Sequence, residues 1–461
     1  MHPLLADDLD RFPELLKAAY DRAVHDLDQL PDRPAAYLGD PPPLHSLPET
    51  GAGAEAALQE FVERWVPGLS GSAGSRYLGF VTGGVTPASL LGDWMTGVYD
   101  QNGGGGDRST ATALEQETLD WIRQLFGLSD AHQGALVSGA TMSNTVGLAI
   151  AREWIGERRG IDVSQLGVAA LGPVEVLSGS PHSSIVKAMS VLGLGRERIR
   201  RLPTLPGDRE AVDVAALERE LQAADGPVIV VANAGTVNTV DFDDLRAIAA
   251  LKQRYDFWLH VDAAFGAFAA LSPEHAHLTA GLDAADSVCV DLHKWLNVPY
   301  DSAVQFTRRR DLQVRVFHNS SPYLGLPGEN PDYVHLTPEN SRRTRAIAAW
   351  FTLAAYGREG HREIVERNIA AAQLLGRRLA EAPHLRLLAP TRLNVVCFTL
   401  AEDPSPERIG AALQAIAETG ETFLTPTFFD GQSAIRAAFS NWRTTEADAE
   451  RVAKVLIEQT R

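Results

Sequence analysis

Ser287-Val-Cys-Val-Asp291, followed directly by Leu292-His-Lys-Trp-Leu-Asn297, is a short apolar run that ends in polar residues and a lysine. A run of this length bounded by polar residues reads as a buried strand. Similar runs lie at Gly134–Val137, Val174–Leu177, Val228–Ala232, Trp258–Val261 and Ala303–Phe306. Several are followed by stretches with helical periodicity: Met142–Trp154, Ser184–Leu192 and Asp243–Arg254. Strand–helix alternation from about 70 to 345 predicts an α/β fold with a mainly parallel sheet. Open sheets of this kind bind ligands in the crevice outside the C-terminal strand ends, which is where Lys294 falls.

Lysine is scarce in this chain. Only Lys17, Lys187, Lys252, Lys294 and Lys454 occur among 42 basic residues. The other four lie in stretches that read as helices and as solvated charge. Partial desolvation at a strand end favours the neutral, nucleophilic form of an amine, so Lys294 is the candidate for covalent chemistry. Asp262 ends a second apolar strand, Trp258-Leu-His-Val-Asp262, before Ala263 and Ala264. A carboxylate there can keep a pyridinium nitrogen protonated; a helix cap or salt bridge is the structural alternative. The turn Ser138-Gly-Ala-Thr-Met-Ser-Asn144 joins a strand to a helix. Amides of Gly139, Ala140 and Thr141 at a helix N-terminus suit an anion, with Gly139 allowing close approach. His182, in Ser180-Pro-His-Ser-Ser184, can stack on a flat ring and polarise a substrate, or serve as a cap.

The totals narrow the field. The chain has 461 residues and a net charge of −17, which disfavours nucleic acid and anionic membranes as partners. Cys289 and Cys397 are too few for a disulfide framework and fit buried thiols in a reducing compartment. Met1–Leu30 is acidic and amphipathic, unlike a signal peptide, and no apolar stretch reaches membrane-spanning length. A cytoplasmic location is therefore expected. His275 and His277 lack the neighbours of a metal site, so no metal is expected. The glycine run Gly103–Gly106 lacks the GK[ST] ending of a nucleotide loop.

Three parts are expected along the chain. Residues 1–65 read as helix, Pro-rich arm (Leu30–Pro48) and helix; residues 66–345 form the large α/β domain. From 346 a long helix (Arg362–Ala382), strands at Val395–Thr399 and Ile435–Phe439 and a last helix read as a small α+β domain. Arg342, Arg343 and Arg345 read as interface or solvated charge. Arg436, on a C-terminal strand, is a candidate to face a substrate carboxylate.

Asp291-Leu-His-Lys-Trp-Leu-Asn297, His260-Val-Asp-Ala-Ala264 and Pro181-His-Ser-Ser184 together resemble the group II pyridoxal-phosphate decarboxylases, the aromatic-L-amino-acid and glutamate decarboxylase family. The likeness runs from about Tyr77 to Arg443. It implies the aspartate-aminotransferase-like fold (fold type I) and a homodimer with shared active sites. It also implies decarboxylation of an L-amino acid to the amine and carbon dioxide. By the resemblance Lys294 carries pyridoxal 5'-phosphate as a Schiff base, and Asp262 pairs with the ring nitrogen. His182 and Ala264 cover the two ring faces. Gly139, Ala140, Thr141 and His293 hold the phosphate. The family's mobile loop falls at 317–334, where Ser321-Pro-Tyr-Leu324 makes Tyr323 the proton donor to the substrate α-carbon. Related aldehyde synthases resemble phenylalanine there. Phe80 and Thr82 in Tyr77-Leu-Gly-Phe-Val-Thr82, and Arg108 in Gln101-Asn-Gly-Gly-Gly-Gly-Asp-Arg108, face the substrate side. The second segment is less apolar than in aromatic members, and Arg108 suits a side-chain carboxylate or a solvated surface. Aminotransfer, aldehyde synthesis, carbon–carbon lysis and non-catalytic cofactor binding remain as alternatives on the same scaffold.

Overall fold

The computed structural model describes residues 1–102, 109–320, 327–328 and 331–461. Its main sheet contains β1 (Gln133–Val137), β2 (Val176–Ser178), β3 (Ile199–Arg201), β4 (Val228–Asn233), β5 (Phe257–Asp262), β6 (Ser287–Asp291) and β7 (Ala303–Thr307). The spatial order is β1-β7-β6-β5-β4-β2-β3. β7 runs antiparallel to both neighbours, β1 and β6; the pairings from β6 through β5, β4 and β2 to β3 are parallel. Every residue of β4, β5 and β6 is buried, as expected of strands covered on both faces.

Alternation along β5 sets up the site. Leu259 and Val261 join one apolar layer, with Phe268 and Trp295. Trp258 joins the opposite layer, with Trp154 and Ile155 of the helix Ala140–Arg159. His260 and Asp262 share the face of Trp258 by the period of two. Gly147 of that helix lies so close that an added Cβ would meet His260 Cε1 at 2.6 Å, so the missing side chain lets the helix settle onto the imidazole.

A second sheet, β8 (Leu385–Leu387), β9 (Val395–Leu400), β10 (Thr425–Phe429) and β11 (Gln432–Ala438), is antiparallel in the order β10-β11-β9-β8. It packs on a helix that runs from Ala346 to Ala380, interrupted at Gly357 (φ 56°, ψ −168°). That helix begins 16 residues before the expected Arg362. Short, half-exposed β3 carries no alternating pattern, which is why it escapes a sequence reading. The N-terminal helices Pro3–Asp10, Phe12–Asp28 and Ala54–Arg64 hold no buried residue. Asp8 accepts from the amide of Ala54 at 3.1 Å, and Tyr20 meets Trp94 edge-on at 6.5 Å. A division at 65/66 and 345/346, proposed from the sequence, would keep each sheet within one unit. Among the described residues no helix is long and apolar enough to cross a membrane.

Candidate active site

β5 and β6 are neighbours, with Asp262 in register with Cys289. β6 ends at Asp291, and the chain turns at once into the short helix Leu292–Trp295, which carries His293 and Lys294. The ammonium of Lys294 lies 3.3 Å from Asp291 Oδ2 and 5.5 Å from the ring centroid of Phe265. The other Asp291 oxygen is 3.2 Å from His293 Nε2. Ser302 N donates to His293 Nδ1 at 3.3 Å, so that nitrogen is an acceptor and the ring proton faces Asp291. Burial lowers the His293 pKa. Both nitrogens therefore face protein groups. What His293 offers the expected phosphate turn is its ring edge, 3.4 Å from where a Cβ on Gly139 would sit.

Gly139 is the N-cap of the 20-residue helix Ala140–Arg159, with extended backbone (φ 178°) and no side-chain cap. Any residue adopts that φ, and a Cβ there would make only ordinary contact with His293. The first intrahelical bond runs from Ser143 N to Gly139 O at 2.9 Å. Amides of the first turn, including those of Ala140 and Thr141, thus have no intrahelical acceptor. Thr141 is exposed.

Asp262 is buried. Its Oδ2 accepts from Asn144 Nδ2 at 2.9 Å, and its Oδ1 from the amide of Ala264 at 3.2 Å. Ala264 in turn accepts from Asp291 N at 2.8 Å, which ties the two strand ends together. His182 caps the helix Ser183–Val191. Desolvation lowers its pKa, and the charges of Asp262, Lys294, Arg436 and Asp291 all act on it. His182 keeps part of its surface open to solvent, while its Nδ1 lies 2.8 Å from Ser184 Oγ in a part-buried contact.

The substrate-side residues divide. Phe80 is exposed, left-handed at φ 57°, and lies 6.3 Å from Phe423. Thr82 is buried. Arg436 is buried too; it donates to Val237 O at 2.7 Å and Phe80 O at 3.3 Å, and its Nε has no partner among the described residues. Arg108, Tyr323 and the other residues of 321–326 and 329–330 in the 317–334 loop lie outside the described residues.

Three polar residues escaped sequence reasoning. Asp291 and Asn297 stand inside the quoted lysine run and Asn144 inside the quoted turn, but their roles need the fold. Asn297, left-handed at φ 57°, donates through Nδ2 to Gly83 O and Ser440 O, each at 2.7 Å, and to Lys294 O at 3.1 Å. Other expectations need correcting. Lys252 is not a free surface charge: it pairs with Asp286 and is mostly covered. Arg342 is buried, paired with Glu115 and stacked 4.1 Å over Tyr333, and Arg345 is held by Asp301 and Glu339. These arginines staple elements together by charge and stacking and are not solvated. Among the described residues no His, Cys, Asp or Glu cluster suits a metal.

A half-buried lysine, a buried carboxylate that accepts N–H bonds from Asn144 and Ala264, and an uncapped helix N-terminus fit a cofactor with an aldehyde, a ring nitrogen and a phosphate. Residues 46–401 match the model of the pyridoxal-dependent decarboxylase conserved domain. The chain belongs to this family. This decarboxylase-family chain is 28% identical to the 3,4-dihydroxyphenylacetaldehyde synthase of Aedes aegypti over 93% of its length and 85% of the relative's. It is 26% identical to the aromatic-L-amino-acid decarboxylase of Bacillus atrophaeus, over 93% and 91%. Its fold matches the crystal structure of Oryza sativa TDC with PLP and tryptamine (TM-score 0.90, 24% identity, 100% and 99% covered). It also matches mouse CSAD (TM-score 0.88, 22% identity, 98% and 100% covered). The decarboxylase is thus of fold type I, its cofactor is pyridoxal phosphate, and it is a carboxy-lyase by family.

Proposed function

We propose that the enzyme converts an L-amino acid to the corresponding amine and carbon dioxide, with Lys294 as the lysine that holds the cofactor. The observation that carries this reading is that Lys294, 3.3 Å from Asp291 just past β6, and Asp262 at the end of neighbouring β5 meet at the C-terminal strand ends, with His182 joined to Asp262 through Ser184 and Asn144. Bound pyridoxal phosphate supplies an electron sink for the bond to be broken. Lys294 anchors the aldehyde carbon. Asp262, held by Asn144, keeps negative charge at the ring nitrogen. His182 and Ala264 cover the ring faces, while Gly139, Ala140 and Thr141 hold the phosphate beside His293. Arg436 orients the α-carboxylate, since a buried guanidinium with no direct ion pair among the described residues favours an anion. Orientation of that carboxylate selects the bond that breaks. Tyr323 returns a proton to the α-carbon. Phe80, Thr82 and Arg108 border the substrate side chain.

A homodimer belongs to the same proposal. Leu5, Leu9, Phe12, Leu16 and Tyr20 are exposed along the N-terminal helices, and a patch of that kind marks a partner surface. The two buried free cysteines fit a cytoplasmic location. The likeness to an aldehyde synthase favours a second reading, oxidative formation of an aldehyde. A screen of L-amino acids that follows carbon dioxide, amine, aldehyde and oxygen separates the two. Equimolar carbon dioxide and amine supports the proposal. Aldehyde with oxygen uptake supports the second reading. Cofactor binding with no carbon dioxide from any amino acid overturns both.

A further inference from the structure

We propose that Asn144 is a positioning residue that fixes the hydrogen-bond polarity of the site, holding His182 as the neutral tautomer with its proton on Nε2. This deepens the reading above, because it states what His182 presents to a bound substrate or cofactor.

The argument is an accounting of donors and acceptors. A buried chain of bonds runs across the helix Ala140–Arg159 and strands β5 and β6. At one end, Trp258 Nε1 reaches Ser287 Oγ at 3.0 Å, and an indole N–H only donates. Ser287 Oγ accepts there and keeps its own proton for His260 Nδ1, 2.7 Å away; the sense is set from the far end, because the Asp262 carboxylate accepts from the Asn144 N–H and so turns the Asn144 oxygen toward His260. His260 is left with its proton on Nε2, which lies 2.9 Å from Asn144 Oδ1. Burial holds the His260 pKa down to about 4, in keeping with a ring that carries one proton. The Asn144 amide is thereby oriented, oxygen to His260 and nitrogen away.

Its two N–H groups then go to different ends of the cofactor site. One reaches Asp262 Oδ2 at 2.9 Å and the other Ser184 Oγ at 3.0 Å. A carboxylate accepts both of its bonds here, the second from Ala264 N. Ser184 Oγ, having accepted from Asn144, donates to His182 Nδ1 at 2.8 Å. The backbone amide of Ser184 donates to the same nitrogen at 3.2 Å. Two donors on Nδ1 leave no room for a proton there. His182 is then neutral with its proton on Nε2. Every link agrees in sense, and reversing the Asn144 amide would set oxygen against carboxylate and N–H against N–H.

One amide thus couples the carboxylate assigned to the ring nitrogen with the imidazole assigned to the ring face. The charged groups around His182 are Asp262 and Asp291 on one side of the balance and Lys294 and Arg436 on the other. Removing Asn144 unshields Asp262 and releases Ser184, and both changes raise the proton affinity of His182.

The test uses protein labelled with [15N]histidine, with and without pyridoxal phosphate. Two-bond 1H–15N correlation spectra tell protonated from bare ring nitrogens. His182→Gln and His260→Gln assign the two signals by their loss. Near neutral pH both rings are expected as Nε2–H with bare Nδ1. In Asn144→Ala the titration midpoint of His182 is expected to rise by about one pH unit, a tenfold gain in proton affinity. A role in packing alone leaves that midpoint unmoved. An Nδ1–H tautomer of His182 in the unaltered protein, or an unchanged midpoint in a folded Asn144→Ala, overturns the proposal. Should that variant fail to fold, Asn144→Ser, whose single O–H cannot serve Asp262 and Ser184 together, carries the same readout and the same two outcomes. Because the apoprotein gives the same readout, the result stands apart from which reaction the enzyme performs.

Discussion

Asp291 presents one carboxylate oxygen to the ammonium of Lys294 and the other toward His293. The lysine is thus steered by charge from its own turn, while Asp262, one strand away, takes bonds from Asn144 and Ala264. This split assigns the two acids different work, and it can be tested one residue at a time. Asp262→Asn keeps the shape but removes the charge and sets an N–H against the Asn144 donor. Turnover is expected to fall by about 10²-fold or more, the scale of losing one preorganised electrostatic contact. Steady-state kinetics on the substrate found by the screen checks this; an unchanged kcat contradicts it. Arg436→Lys keeps the charge but loses the fork that bonds Val237 O and Phe80 O. KM is expected to rise about tenfold or more with a smaller change in kcat. A KM that does not move removes Arg436 from the carboxylate site.

At the scale of elements, the lysine turn is pinned from below. Gly83 passes so close that an added Cβ would overlap the carbonyl oxygen of Lys294 and crowd Asn297 Nδ2. Gly83→Ala should destabilise by about 3 kcal/mol and weaken cofactor binding. Gly410→Ala, at an exposed position of the helix Pro406–Glu418 where a Cβ meets nothing, should stabilise by roughly 0.5–1 kcal/mol. Thermal unfolding of the two variants side by side tests the contrast; equal Tm values contradict it. The same elements show what a sequence can and cannot carry. β4, β5 and β6 are buried on both faces, so their apolar runs stand out and their ends point to Lys294 and Asp262. Asn144 reads as an ordinary polar residue in a helix, because its meaning lies in partners 40 and 118 positions away. The break at Gly357 leaves the register of the long helix unreadable from Arg362 backward, which is how its first turns were missed. The buried arginines Arg342 and Arg345 resemble surface charge in sequence because their acids arrive from distant segments.

At the scale of the molecule, buried histidines set the response to acid. His260 and His361 are both pushed down to about 4 by burial, against an unfolded value near 6.5. Below that value the unfolded chain binds protons that the folded chain refuses, so stability falls as pH drops from about 6.5 to 4. Each contributes on the order of 3 kcal/mol at most. Asp243, raised by burial to about 6, works the other way between about 6 and 4, with a similar weight. The net expectation is a loss on the order of 3 kcal/mol. Urea midpoints of the apoprotein at pH 7 and pH 4.5 measure it, and a midpoint that holds or rises contradicts it.

The central claim is a covalent one, that Lys294 alone among five lysines carries the cofactor. Borohydride reduction of the holoenzyme, followed by proteolysis and mass spectrometry, tests it most directly. The phosphopyridoxyl mass is expected on the peptide containing Lys294, in one copy per chain. The same mass on Lys17, Lys187, Lys252 or Lys454, with Lys294 unmodified, would contradict it.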